Sequence, residues 1–134
     1  MKLLFVTLGF LLVGQSVRAE SYEEHDYILN CSGCHRMDGS GSRAVPSLHA
    51  MRDLVARPGA REYWVRVPGP AQAPLSDARL AALMNWLVAR FTGQRPEPAY
   101  TPEDVKQLRS KPLRDPIRKR NEIRGTPPSN TGTP

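Results

Sequence analysis

The stretch CSGCHRMDGSGSR, residues 31–43, contains both cysteines of this 134-residue chain and one of its three histidines. Cys31, Cys34 and His35 together form a C-x-x-C-H motif. The same motif serves several chemistries, including redox exchange, metal binding and covalent cofactor attachment. Which of them applies depends on the compartment of the protein and on the fold around the motif.

The first 20 residues, MKLLFVTLGFLLVGQSVRAE, have the features of a secretory signal. Lys2 gives a positive start, residues 3–13 are apolar, and Val17-Arg18-Ala19 resembles a cleavage site. The apolar run is shorter than the roughly 20 residues that cross a bilayer, which favours cleavage over a retained membrane anchor. We therefore predict a signal peptide over residues 1–19 and a periplasmic location, with membrane contact only if the signal segment is retained.

Charge and composition divide the remaining chain in two. Residues 20–100 carry nine Lys or Arg and nine Asp or Glu, whereas residues 101–134 carry eight and four. Gly and Pro around residues 93–102 indicate a linker. The sequence therefore predicts a domain over 20–95 and a basic extension over 96–134. Such an extension can contact anionic lipid or an acidic protein face, or can simply keep the protein soluble. Nucleic-acid binding is not expected, because the basic residues have no aromatic interleaving and no binding motif around them.

One short helix is predicted in the basic extension. Thr101 can cap it and Pro102 suits its first turn, while Pro112 ends it after about two turns. The last stretch of the chain, GTPPSNTGTP, offers nothing to bury, and we expect it to be disordered.

Within the domain, the clearest helix is LSDARLAALMNWLVARF, residues 75–91. Ser76 is a good N-cap, and Gly93 is a plausible terminator just beyond the helix. Apolar side chains recur at the spacing of one buried helical face: Leu80, Leu83, Met84, Leu87, Val88 and Phe91. This periodicity predicts a core helix.

Three shorter segments also have helical character, and none shows a convincing strand alternation. They are SYEEHDYILNC (21–31), PSLHAMRDLVA (46–56) and GAREYWVRV (59–67). In the first segment, Tyr22, Ile28 and Leu29 are available to face a core. The sequence thus predicts an all-α domain.

A domain of about 75 residues buries only about 60% of its unfolded surface, so its core is marginal without a disulfide, metal or bound group. A disulfide between Cys31 and Cys34 closes too small a loop to add much stability. A thioredoxin-like redox pair expects a βαβ context, which is missing, and a zinc site needs two more ligands at suitable spacing. Covalent haem attachment is the fourth interpretation, and C-x-x-C-H is its signature.

Haem attachment fits the spacing of the motif best. Cys31 and Cys34, on the last turn of a helix, present two thiols on one side for the two vinyl groups of a porphyrin. His35 can then place its imidazole on the iron from the same face. The porphyrin also supplies the apolar body that the small domain lacks. We predict one covalently bound haem c, with His35 as an iron ligand.

With these features the chain resembles the class I c-type cytochromes over residues 22–91. The resemblance rests on CSGCHRMDGSG (31–41) and on PLSDARLAALMNWL (74–87). In the family a Gly-containing turn follows the attachment motif, and a Leu-Ser/Thr-Asp element opens a last helix that packs across the first. The resemblance implies a cytochrome c-like fold of short helices around one haem. It also implies an electron-transfer protein rather than an enzyme.

The chain departs from the family at the sixth iron ligand. Family members usually have a methionine, often followed by proline, in the loop ahead of the last helix, whereas this chain has Val67 before Pro68. Met51 has enough chain after the motif to reach the far haem face, and it is the preferred candidate. His49 comes next and would lower the potential of the iron.

The other candidates for the sixth ligand are weaker. Met37 is too close to His35 to reach the opposite face. Met84 belongs to the apolar stripe of the last helix, where methionine usually serves packing. His25 precedes the motif and fits a helix surface. An open sixth position is the remaining possibility.

The predicted function is one-electron transfer in the periplasm, serving a dehydrogenase or an oxidase of a respiratory chain. An open or labile sixth site would instead give a gas sensor or a peroxidase-like enzyme. A third possibility is the cytochrome subunit of a larger dehydrogenase complex. Cations of the extension are predicted to bind an acidic partner: Lys106, Arg109, Lys111 and Arg114.

Overall fold

The structure is a computed structural model that describes residues 21–125. Over these residues the chain forms seven α-helices, one 3-10 helix and no strand, which confirms the all-α class. The elements are α1 (Tyr22–Asn30), α2 (Ser32–His35), the 3-10 helix (Leu48–Asp53), α3 (Ala60–Arg66), α4 (Pro68–Gln72), α5 (Asp77–Thr92), α6 (Pro102–Arg109) and α7 (Pro116–Gly125). The predicted signal peptide and the residues after Gly125 in the predicted disordered tail lie outside this range.

None of the helices between residues 21 and 125 has both the length and the hydropathy that a bilayer crossing requires. The longest of them, α5, has 16 residues and carries charged side chains at both ends.

Helix α5 forms the centre of the core, as its periodicity predicted. The Ser76 side chain accepts a hydrogen bond from the Arg79 backbone N–H, and Gly93 ends the helix at a φ of 77°. The apolar face predicted from the sequence is buried throughout: Leu80, Leu83, Met84, Leu87, Val88 and Phe91. Each fully buried side chain of this size stabilises the fold by about 1.5–3 kcal/mol.

Helix α1 packs on α5, but through a different face from the predicted one. Tyr22 is 86% exposed and Leu29 is 66% exposed, so the expectation that they face the core is wrong. Asp26 and Tyr27 are buried instead. Asp26 can be buried because Arg79 of α5 forms an ion pair with it, and the Tyr27 hydroxyl donates to the Arg36 carbonyl. Of the three residues predicted to face the core, only Ile28 is partly buried.

The chain after residue 95 completes the core. Tyr100, Val105 and Ile123 are each no more than 4% exposed and belong to the same apolar cluster as α5. Helix α6 begins at Thr101 with a capping box that pairs it with Asp104, and it ends before Pro112, as predicted. The prediction of a single helix is wrong, because α7 follows α6 and packs on α3.

Arginines of the domain bind backbone carbonyls of this C-terminal segment. Arg61 donates to the carbonyls of Pro98 and Ala99 and forms a 2.8 Å ion pair with Asp104. Arg57 donates to the Arg124 carbonyl over 2.7 Å. Hydrogen bonds from arginine to otherwise exposed carbonyls allow a strongly basic segment to pack on the domain.

Candidate functional site

The two thiols lie on one short turn. Cys31 ends α1 and caps α2, and the backbone N–H groups of Cys34 and His35 both donate to the Cys31 carbonyl, over 3.1 and 2.9 Å. Both cysteines are free; Cys31 is half-buried against the core and Cys34 is exposed. Residues three apart on a helical turn are neighbours on its surface, so Cys31 and Cys34 lie next to each other on this turn.

The thiol of Cys31 is held in its protonated form. Burial is the main cause that raises the pKa of Cys31 to about 11, and the nearby Asp26 carboxylate and Cys34 raise it further. Cys34 is the more accessible of the two sulfur atoms. The two thiols therefore differ in reactivity although they are one turn apart.

His35 has a defined tautomer. Its Nδ1 lies 3.0 Å from the Pro46 carbonyl oxygen, which can only accept, so Nδ1 carries the proton and Nε2 keeps its lone pair. Burial lowers the pKa of His35, and the hydrogen bond to Pro46 opposes this shift only in part. The ring is therefore neutral near pH 7. A neutral imidazole with one nitrogen bound to a carbonyl and the other free is the form in which histidine ligates metals.

A tight loop over residues 36–46 places the Pro46 carbonyl. Gly39 and Gly41 both have a φ of 74°, and the Gly41 N–H donates to the His35 carbonyl over 3.0 Å. The Gly39 carbonyl accepts from the Leu48 N–H at 2.9 Å and from the Ser47 hydroxyl at 3.2 Å. These bonds fix the return of the chain toward His35.

His49, which follows the loop over residues 36–46, also forms a hydrogen bond to it. Its Nε2 donates to the Asp38 carbonyl over 2.9 Å, and its ring meets the Phe91 ring edge-on with 5.3 Å between centroids. The His35 bond to Pro46 and the His49 bond to Asp38 each join residues 11 apart. Two of the three histidines of the chain thus hold one loop closed.

The three methionines among the described residues occupy two kinds of environment, the core and the surface. Met51, the preferred sixth ligand from the sequence, lies in the 3-10 helix and is 5% exposed within the core. Met84 is 1% exposed on α5, whereas Met37 is 64% exposed beside the motif. Val67 stands between α3 and α4 and packs against the core.

The segment VPGPAQAPL, residues 67–75, is braced by an arginine of the C-terminal helix α6. The Arg109 guanidinium donates to the carbonyls of Ala73 (2.6 Å) and Leu75 (2.9 Å) and lies 3.3 Å from an Asp77 carboxylate oxygen. Its side chain is only 19% exposed. Arg109, one of the predicted docking cations, thus makes most of its polar contacts within the domain, and its docking role stays a prediction.

The described residues 21–125 contain no cluster of three or more His, Cys, Asp or Glu side chains that could hold a metal ion. A haem needs no such cluster, because the porphyrin provides four of the iron ligands and the protein provides only axial ones. A cavity of about 430 Å³ lies between α5 and residues 95–99, and neither the cysteines nor a histidine line it.

Two free thiols on one turn and a neutral imidazole with an available Nε2 fit the donor set of a covalently bound haem. No protein-family model matches the chain, and no curated protein matches its sequence significantly. The functional argument therefore depends on the geometry of Cys31, Cys34 and His35.

Proposed function

We propose that the chain carries one covalently attached haem c and passes single electrons between periplasmic redox proteins. Cys31 and Cys34 would form the thioether bonds, and His35 would bind the iron through Nε2. The observation that supports this proposal best is the hydrogen bond from His35 Nδ1 to the Pro46 carbonyl. It selects the tautomer that an iron ligand needs and fixes the direction of the ring.

In this proposal the haem iron would supply the redox chemistry, by cycling between its ferric and ferrous states. The residues of the chain hold and orient it. The Cys31 carbonyl accepts from the N–H groups of Cys34 and His35, which keeps the motif on one turn. The Pro46 carbonyl aligns the His35 ring, and burial keeps it neutral. With a haem in place, the short helices around it would form the cytochrome c-like fold that the resemblance implies.

The proposed partner is an acidic redox protein, a dehydrogenase or an oxidase. Residues 102–125 carry eight Lys or Arg and four Asp or Glu. Lys106, Lys111 and Arg114 are exposed on this segment. Charges of one sign on one side of a protein accelerate the encounter with a partner of opposite sign.

The experiment that tests haem attachment is expression of the full chain in a periplasm with a c-type cytochrome maturation system. The purified protein should gain the mass of one haem and keep it after denaturation. Cys31→Ala with Cys34→Ala should abolish covalent haem, because no thiol remains. The matched control is His49→Gln, which changes the other loop histidine and should retain the haem. Wild-type protein without added mass would refute the proposed function.

A further inference from the structure

We propose that the chain supplies only one axial ligand to the haem iron, His35, and that the opposite face binds a small neutral ligand such as CO or NO. This inference rests on the proposed function. It assigns to the protein a binding site for a diatomic molecule in addition to the transfer of electrons.

The sequence limits the possible second ligands. Besides His35, the chain contains His25, His49 and four methionines, of which Met1 lies in the predicted signal peptide. Residues 126–134 contain neither histidine nor methionine. Every remaining histidine and methionine therefore lies among the described residues.

His49 and Met51 lie on the wrong side of His35. The two nitrogens of an imidazole point to opposite sides of the ring, so the partner of Nδ1 lies behind the ring when Nε2 faces the iron. Nδ1 is bound to Pro46, and Leu48 two residues later is bound to Gly39 of the same loop. Met51 follows Leu48 by three residues of 3-10 helix, which is only about 6 Å of chain.

His49 and Met51 are also committed to other contacts. His49 Nε2 is bound to the Asp38 carbonyl, and its ring packs on Phe91. Met51 is buried in the core, and the Leu54 N–H donates to its carbonyl. Ligation by His49 would break its bond to Asp38 and open the loop that aligns His35, and ligation by Met51 would draw its side chain out of the core.

The other candidates are excluded by position. Met84 is 1% exposed on the inner face of α5, so its use would leave a cavity in the core. His25 is fixed on α1 about 9 Å before Cys31 along the helix axis. Met37 belongs to the loop that runs behind His35, two residues after it.

The segment ahead of α5, where the resemblance expects the sixth ligand, has no side chain suited to iron. Residues 67–75 contain no histidine, methionine, cysteine, lysine or tyrosine. They carry no charge either, and Gln72 has the only polar side chain among them. Arg109, the cation that contacts this segment, is already paired with Asp77, which favours neutral CO or NO over an anionic ligand. The Arg109 bonds to Ala73 and Leu75 also oppose a rearrangement of this segment to bring in another residue.

The test is CO titration of the purified, haem-loaded full chain in its ferrous state, followed by absorption spectroscopy. We expect a complete shift of the Soret band at one CO per haem, at a rate proportional to CO concentration. The volume-matched variants Met51→Leu and Met84→Leu should give the same spectra and the same CO affinity as wild type. His49→Gln, which keeps an amide donor for the Asp38 carbonyl, should still bind one CO per haem. Met37→Leu is the surface control.

A c-type spectrum that CO leaves unchanged would overturn this proposal but not the proposed function. A slow phase independent of CO concentration would overturn it too, because it reports displacement of an internal ligand. A variant that then gained rapid CO binding would identify that ligand. Absence of covalent haem would refute the proposed function and, with it, this inference.

Discussion

His35 and Pro46 are 11 residues apart in the chain, yet one hydrogen bond between them decides which ring nitrogen is free to act as a ligand. The bond depends in turn on Gly39, whose carbonyl accepts from Ser47 and Leu48 on the returning chain. A residue with no side chain thus controls the orientation of the one histidine proposed to bind iron.

Gly39→Ala should destabilise the haem-loaded protein by about 2–4 kcal/mol. The backbone there has a φ of 74°, which disfavours any residue with a Cβ. The added Cβ would also collide with the Phe91 ring, at 2.6 Å from Cζ. Urea unfolding measures the loss. The matched control is Gly33→Ala on α2, where an alanine Cβ would have no neighbour within 4 Å. Equal losses of stability for both variants would contradict the prediction.

Cys31 gives a prediction about pH in the chain with free thiols. The pKa of its thiol is about 11 in the fold, against roughly 8.5 in an unfolded chain. Between these two pH values the folded chain keeps a proton on the Cys31 thiol that the unfolded chain loses. The protonated thiol therefore contributes its full stabilisation of the fold below pH 8.5, and this contribution is lost as the pH rises toward 11.

Alkylation by iodoacetamide, followed site by site with mass spectrometry, measures the thiolate of Cys31. Its alkylation should remain slow at pH 8–9 and accelerate as the pH approaches 11. The exposed Cys34 in the same molecule is the internal comparison. An inflection for Cys31 near pH 8.5, the unfolded value, would show that the fold does not bury this thiol when haem is absent.

At the scale of elements, α6 acts on the segment between α4 and α5 through Arg109. Three backbone carbonyls of residues 71–75 accept from this one guanidinium, which also pairs with Asp77 at the start of α5. The short helix α4 has no side-chain cap of its own. Its position therefore depends on an arginine that lies more than 30 residues later in the chain.

Arg109→Ala should lower the free energy of unfolding by about 2–3 kcal/mol, because it leaves part-buried carbonyls without a donor. Hydrogen–deuterium exchange of peptides that cover residues 67–76 should also become faster. Lys106→Ala, an exposed change on the same helix, should cost less than about 0.5 kcal/mol. Unchanged exchange in the Arg109 variant would show that the brace does not hold this segment.

Helices α5 and α1 show what the sequence could predict at this scale. Helix α5 buries only apolar side chains and one threonine, so its periodicity, its Ser76 cap and its Gly93 terminator were read correctly. Helix α1 buries Asp26, and the sequence of α1 does not indicate that Arg79, 53 residues away, is the ion-pair partner of Asp26. The buried face of α1 was therefore predictable only from the tertiary structure.

The residues of the candidate site also fall into those that the local sequence could predict and those that it could not. C-x-x-C-H identified Cys31, Cys34 and His35 because their chemistry depends on local spacing. The roles of Pro46, Gly39 and Arg109 depend on bonds between distant residues, which no local pattern contains. The basic composition of the extension predicted cations for an acidic partner, whereas Arg109 and two arginines of the domain bind carbonyls across the interface.

At the scale of the whole molecule, the region predicted as a self-contained domain, residues 20–95, should not fold stably alone. Tyr100, Val105 and Ile123 together contribute roughly 5–9 kcal/mol of apolar burial, against a typical net stability of about 5–15 kcal/mol. We expect a protein that ends at residue 95 to lack a cooperative thermal transition, while one that ends at residue 125 retains it. Circular dichroism of both exported forms measures this, and equal melting temperatures would contradict it.

The basic surface of the molecule makes a second prediction at this scale. Neutralising Lys106, Lys111 and Arg114 with glutamine should slow electron exchange with an acidic redox protein several-fold at low salt, with little effect at high salt. Stopped-flow mixing with an acidic blue-copper protein as the probe measures the rate. The matched control replaces Arg52, Arg90 and Arg95 with glutamine, which removes the same amount of charge from exposed positions of the domain. Equal slowing by both sets would mean that net charge, rather than this surface, guides the encounter.

The hydrogen bond from Arg57 to the Arg124 carbonyl joins residues 67 apart, near the end of the chain, and this separation affects the order in which the protein folds. Contacts of such long separation form late, since both segments must be available before they can pair. If the chain leaves the cytoplasm N-terminus first, the C-x-x-C-H motif emerges well before α6 and α7. On this proposed route its thiols would meet the periplasm on an open chain, so the proposed haem would be attached before the last helices close the core.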